Sequence, residues 1–198
     1  MTAERDDRRR AVTVAGHRVD AAAIRAAAHD PDGAVRASAL GAADRADLLE
    51  SSDLQAALAD SDPRVRRRAV EIAARYANAD ISALLSDPED TVVEMAAWSC
   101  GERVPAPPEI VTQLAWLATS HRDALVREAA VAALGAAGDP DGLSAILQAM
   151  NDKPAIRRRA VIALTPFDGP DVDAALRAAL GDRDWQVRQL AEDLGPDS

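Results

Sequence analysis

Glu94, Trp98 and Glu102 stand four residues apart, so a helix would carry them as one acidic–aromatic–acidic stripe. An exposed tryptophan is a frequent binding anchor, and flanking carboxylates favour a basic partner segment. Arginine is placed with similar regularity. DPRVRRRAV occupies residues 62–70 and KPAIRRRAV residues 153–161, each with three consecutive arginines. Such triplets serve inter-helix ion pairs or ligand binding, and the ion-pair reading carries more weight.

Groups suited to catalysis are few. His17, His29 and His121 lie far apart, and none is followed by Glu. Cys100 is the only cysteine, which excludes an internal disulfide and cysteine-based zinc clusters. Flanked by MAAWS and GER, it reads as a small buried hydrophobe. The chain has no G-x-S-x-G, P-loop or G-x-G-x-x-G signature. Its many carboxylates fall mostly at helix starts. The sequence therefore predicts a non-enzymatic protein with no catalytic residue, cofactor or metal.

Composition narrows the fold. Of the 198 residues 48% are hydrophobic but only 3% aromatic, so the core must be built from Ala, Val, Leu and Ile. Alanine is the best helix former, which predicts an all-α fold. The net charge of −10 makes nucleic acid an unfavoured partner and disfavours anionic membranes. No apolar run reaches transmembrane length, and the first residues lack the apolar stretch of a signal peptide. A cytoplasmic monomer is the expectation.

The repeated phrase recurs in weaker form. AVRASAL (34–40), RVRRRAV (64–70), TVVEMAA (91–97), LVREAAV (125–131), AIRRRAV (155–161) and QVRQLAE (186–192) share an apolar anchor: Val35, Val65, Val92, Val126, Ile156 or Val187. The anchors lie 27 to 34 residues apart, the mark of a stacked helical array. An alanine follows each anchor four residues later, on the same helical face. Helix-start signals such as Asp62-Pro63 and Lys153-Pro154 lie upstream. A second amphipathic segment precedes each of them, for example LSAILQAM at 143–150. Each unit is thus a hairpin of an A helix, a tight turn and a B helix.

The D-x-x-x-x-V-R-x-x-A pattern resembles HEAT repeats, particularly the short phycobilisome-lyase HEAT-like group, over about residues 19 to 195. The resemblance implies a right-handed α-solenoid (superhelix) of about six hairpins. It also implies a ladder of Asp before each B helix and Arg six residues later. The matching pairs are Asp30 with Arg36, Asp60 with Arg66 and Asp182 with Arg188, with Asn151 and His121 replacing the Asp before Arg157 and Arg127. Val93 stands where the third arginine belongs, so the ladder should be interrupted there. The di-iron hydroxylases of this fold need His-Glu dyads, which are absent here. Residues 1–18 read as a partly disordered lead before a single domain over 19–198.

With the anchor at zero, positions +2, +6 and +10 lie at about 200°, 240° and 280°, away from the core arc of +4, +7 and +8. In the family this stripe lines the concave surface. It holds Arg67, Glu71 and Arg75 in repeat two, Glu94, Trp98 and Glu102 in repeat three, Glu128 in repeat four and Arg158 in repeat five. Arg67 should stand beside Glu94, Arg75 beside Glu102 and Glu128 beside Arg158. Trp185 should cap the last repeat, and Trp116 should lie under the VPAPPE loop or exposed. The expected function is a protein-interaction scaffold binding a partner on the concave face around repeats two to five. The alternative is nucleic-acid binding or HEAT-fold DNA-glycosylase-like chemistry on the same face, for which the W-W-D-x-V-D motif is missing.

Overall fold

The computed structural model describes residues 2–195, which form twelve α-helices and no strand. The B helices are α1 (Thr2–Arg18), α3 (Gly33–Arg45), α5 (Pro63–Ala73), α6 (Asp90–Gly101), α8 (Ala124–Ala137), α10 (Pro154–Ala163) and α12 (Trp185–Leu194). The A helices are α2 (Ala21–Ala27), α4 (Ser51–Leu58), α7 (Pro108–Ser120), α9 (Leu143–Ala149) and α11 (Pro170–Ala179). In the third repeat the A position holds only a 3-10 turn, Ser82–Ser86. The chain divides within that turn into two compact units, one up to Leu84 and one from Leu85 onward. A single domain over 19–198 was the expectation.

Local signals start these helices where the sequence places them. Asp32, Asp62, Asp123 and Asp184 each accept a hydrogen bond from the backbone N–H two residues on, at 2.7–2.9 Å. That satisfies one of the donors a helix start leaves open. Pro63, Pro108, Pro154 and Pro170 occupy first-turn positions that need no donor. Helix α8 stops at Gly138, whose φ of +60° is the left-handed geometry that favours glycine.

Residues 2–18 correct the expected lead. They form α1, which buries Val12 and Ala15 in one cluster with Ile24, Val35, Ala39 and Ala42. Helix α1 is the B helix of a further, earlier repeat: Arg8-Arg9-Arg10-Ala11-Val12 is a third copy of the RRRAV phrase.

In the first unit α1 packs on α3 and α3 on α5, with α2 and α4 behind them. In the second, α6, α8, α10 and α12 pack in succession, with α7, α9 and α11 behind. The buried arc is wider than the anchor pattern alone predicts. Position +5 is also buried, as Leu40, Val70, Ala97, Val131 and Val161. Close stacking relies on small residues between neighbouring B helices of a unit. A Cβ on Gly16 of α1 would come within 2.9 Å of the Ala42 Cβ on α3. Cys100 lies buried on α6, and burial pushes its thiol pKa up to about 11, so it behaves as the small hydrophobe its flanks suggest.

Candidate functional site

The arginine that follows the anchor position serves the stack and is withdrawn from any site. Arg36 donates two hydrogen bonds to the Asp60 carboxylate of the next repeat (2.9 and 2.7 Å) and one to the Asp30 carbonyl of its own turn (2.9 Å). Arg127 grips Asp152 the same way (2.6 and 2.9 Å), and Arg157 grips Asp182 (2.8 and 2.7 Å). Arg66 and Arg188 bond the carbonyls of Asp60 and Asp182. Arg36, Arg127 and Arg157 therefore each join the following repeat's aspartate, while their bond to their own repeat goes to a backbone carbonyl.

Three details depart from the sequence reading. In repeat five the rung acid is Asp152, not Asn151. Arg8 of α1 supplies an unforeseen rung to Asp30. At the gap left by Val93, which is buried, the polarity reverses: Arg122 of repeat four reaches back to Asp90 of repeat three (3.2 and 3.0 Å). His121 takes the helix-start role of the missing aspartate, its Nδ1 accepting from the Asp123 N–H at 3.1 Å.

The arginine hydrogen bonds hold the Asp60, Asp152 and Asp182 carboxyls below the usual carboxylate range, against the opposing effect of burial. A carboxylate depressed in the folded state contributes stability that is fully present above its unfolded value of about 4 and lost as pH falls through the folded value. The urea midpoint should stay level from about pH 6 to about pH 5 and fall steeply below about pH 4. A midpoint unchanged at about pH 3 would contradict the ladder's electrostatic role.

The remaining arginines face outward. Positions +2, +6 and +10 of α1, α3 and α5 line a groove of about 580 Å³ in the first unit. Arg9, Thr13 and His17 come from α1, Ala37, Gly41 and Arg45 from α3, and Arg67 and Glu71 from α5. Arg5, Arg64 and Arg68 complete the wall, giving six arginines against one carboxylate. Arg5 is paired with Asp6, Arg64 with Asp62 and Arg68 with Glu71. Gly41 leaves the space into which the Arg68 guanidinium folds, since a Cβ there would lie 2.6 Å from its Nη2. Arg9 donates to Ser38 Oγ at 3.4 Å, and Arg45 and Arg67 form no ion pair among the described residues.

The same stripe lines a second groove, of about 370 Å³, in the second unit. Glu128, Arg158, Ile162 and Gln189 take its +2 and +6 positions, beside Arg159, Trp185 and Leu190. Glu128 pairs with Arg159 at 3.7 Å, where the sequence suggested Arg158. Trp185 is 65% exposed at the start of α12, so it presents its indole to this groove.

Of the stripe residues expected from sequence, Arg67 and Glu71 line the first groove, and Glu128 and Arg158 the second. Arg75 ion-pairs with Asp44, whose other oxygen accepts from Tyr76 Oη, in place of the expected Glu102. Trp98 is 41% exposed between half-buried Glu94 and exposed Glu102, and these three line neither groove. Trp116, at 60%, is exposed on α7. Sequence reading missed Arg5, Arg9, His17 and Arg45. The third RRRAV at 8–12 would have revealed the α1 members. Among the described residues no group of three or more His, Cys, Asp or Glu is placed to hold a metal, and no helix is long and apolar enough to cross a membrane.

Stacked helix hairpins with an arginine–aspartate ladder define an α-solenoid repeat protein. HEAT repeats match residues 79–155 and again 111–194, together more than half of the chain. The chain belongs to the HEAT-repeat family. No curated protein matches it. Among solved structures it is similar to a designed armadillo repeat protein in complex with the peptide (KR)4, at a TM-score of 0.62 and 16% identity, over 85% of this chain and 95% of that one. An engineered protein aligns at a TM-score of 0.48 and 18% identity, over 94% of this chain and 85% of that one.

Proposed function

We propose that this chain is a non-catalytic scaffold that holds an extended segment of a partner protein against the outward stripes of its B helices. The observation that carries this reading is the repetition of one arrangement in both units. Positions the core does not use line a groove in each, and those grooves gather arginines, an exposed tryptophan and apolar side chains. Arginine and tryptophan are the residues most often found at energetic centres of interfaces. Membership of a repeat family and the likeness of the fold to a peptide-bound designed armadillo protein support it. The proposed contact residues are Arg67 and Glu71 in the first unit, with Glu128, Arg158 and Trp185 in the second. On α6, Trp98 with Glu94 and Glu102 would suit a basic segment; Arg75 is already engaged by Asp44.

Panning a displayed random-peptide library on the intact chain tests the reading. Selected peptides should engage the grooves or the α6 stripe, and Trp185→Ala or Trp98→Ala respectively should weaken a subset by about tenfold without changing the thermal melt. Trp116→Ala, on an A helix, should have no effect. A library that yields no binder, or binders indifferent to every stripe substitution, would remove the proposal.

A further inference from the structure

The first groove has a sign, and the sign specifies a partner. We infer that the α1–α3–α5 groove binds an extended, aspartate- and glutamate-rich peptide segment. This inference rests on the scaffold reading above and adds the chemistry of the ligand.

A chain of net charge −10 here gathers Arg5, Arg9, Arg45, Arg64, Arg67 and Arg68 around one space, with Glu71 the only carboxylate in its lining. Like charges crowded on one surface repel, so the arrangement is stabilised by an anion that enters it. Three of the six are engaged by neighbouring carboxylates, whereas Arg9, Arg45 and Arg67 make no ion pair among the described residues. Guanidinium forks match carboxylates in planar, two-point contact.

Placement of these three sets the length of the ligand. Arg9 on α1 and Arg67 on α5 hold the same stripe position two helices apart, roughly 20 Å at usual helix spacings. Arg45 sits eight residues further along its own helix, roughly 12 Å away along the axis. An extended chain rises roughly 3.3 Å per residue, so about six residues bridge Arg9 and Arg67. Ala34 and Ala37 contribute small side chains to the groove, which lets a backbone approach closely.

Nucleic acid fits less well. No Phe, Tyr or Trp lines the groove and His17 is its one small aromatic ring, so bases lack a broad stacking platform. A strand longer than the groove would also run onto the acidic remainder of the chain. A designed armadillo protein of similar fold takes the basic peptide (KR)4, so the fold does not dictate the sign. The groove residues of this chain call for the opposite one.

The test is fluorescence anisotropy with a labelled octaglutamate peptide and the full chain. Binding should appear at low salt and weaken steeply as salt rises. Reversing the three open cations together (Arg9→Glu, Arg45→Glu, Arg67→Glu) should weaken it by about tenfold or more. Arg177→Glu, on the exposed face of α11, should leave it unchanged. If the triple reversal melts early, Arg9→Gln with Arg67→Gln provides the same comparison with milder change. No octaglutamate binding at low salt, binding undiminished in both variants, or tighter binding of oligothymidylate or duplex DNA each overturns the inference. Library-selected peptides that hold to the stripe without acidic enrichment would overturn it too, while leaving the scaffold reading intact.

Discussion

Replacing Arg157 with alanine should lower the stability of the second unit by about 2–4 kcal/mol, the largest loss expected from any one side chain of the ladder. Its side chain is 6% exposed and its partner Asp182 15%, so the pair is more enclosed than Arg36–Asp60 or Arg127–Asp152. Arg157 donates two hydrogen bonds to that carboxylate and a third to the Asp152 carbonyl (2.8 Å). Truncation strands a charge that keeps only the Asp184 N–H as donor. Urea melts followed by circular dichroism would read the loss. Pairing the change with Asp182→Asn should recover part of it, because the stranded charge is removed. A midpoint equal to wild type would contradict the ladder. Arg122→Ala should cost far less, since Arg122 is 79% exposed.

Gly135→Ala should destabilise, although alanine normally stabilises a helix interior over glycine by about 1 kcal/mol. The reason is the approach of α8 to α10. A Cβ on Gly135 would lie 2.6 Å from both Cα and Cβ of Ala163 and 3.1 Å from its carbonyl oxygen. Backbone cannot swing aside as a side-chain tip can, so the helices must separate. Overpacking of this kind costs about 1–3 kcal/mol, which exceeds the propensity gain. A thermal melt at or above wild type would show that the stack yields there, and the close-stacking account would fail.

How much of this was legible in the sequence follows from what each feature depends on. The hairpins and the stripe depend on periodicity, which a single sequence carries openly. The anchor at Val65 and the alanine at Ala69 suffice to orient α5. Helix α1 escaped because its anchor position holds Asp7 where the other B helices have Val or Ile. Asp7 is exposed, and only the RRRAV at 8–12 betrays the repeat. The Asp152 rung escaped because the turn before α10 is one residue shorter than its equivalents: Asp152 caps the very next N–H, at Lys153, where Asp30, Asp60 and Asp182 cap the second. The charge of the first groove was the least legible. It depends on which outward residues of three separate helices meet, and the sequence pattern alone reads the α1 residues as a lead.

The most direct test of the groove as the functional surface is an amide NMR titration of the full chain with the octaglutamate peptide. The account predicts shifts confined to α1, α3 and α5, largest around Arg9, Gly41, Arg45 and Arg67, with α2 and α4 silent. Shifts spread over the A helices, or none at all at saturating peptide, would contradict it.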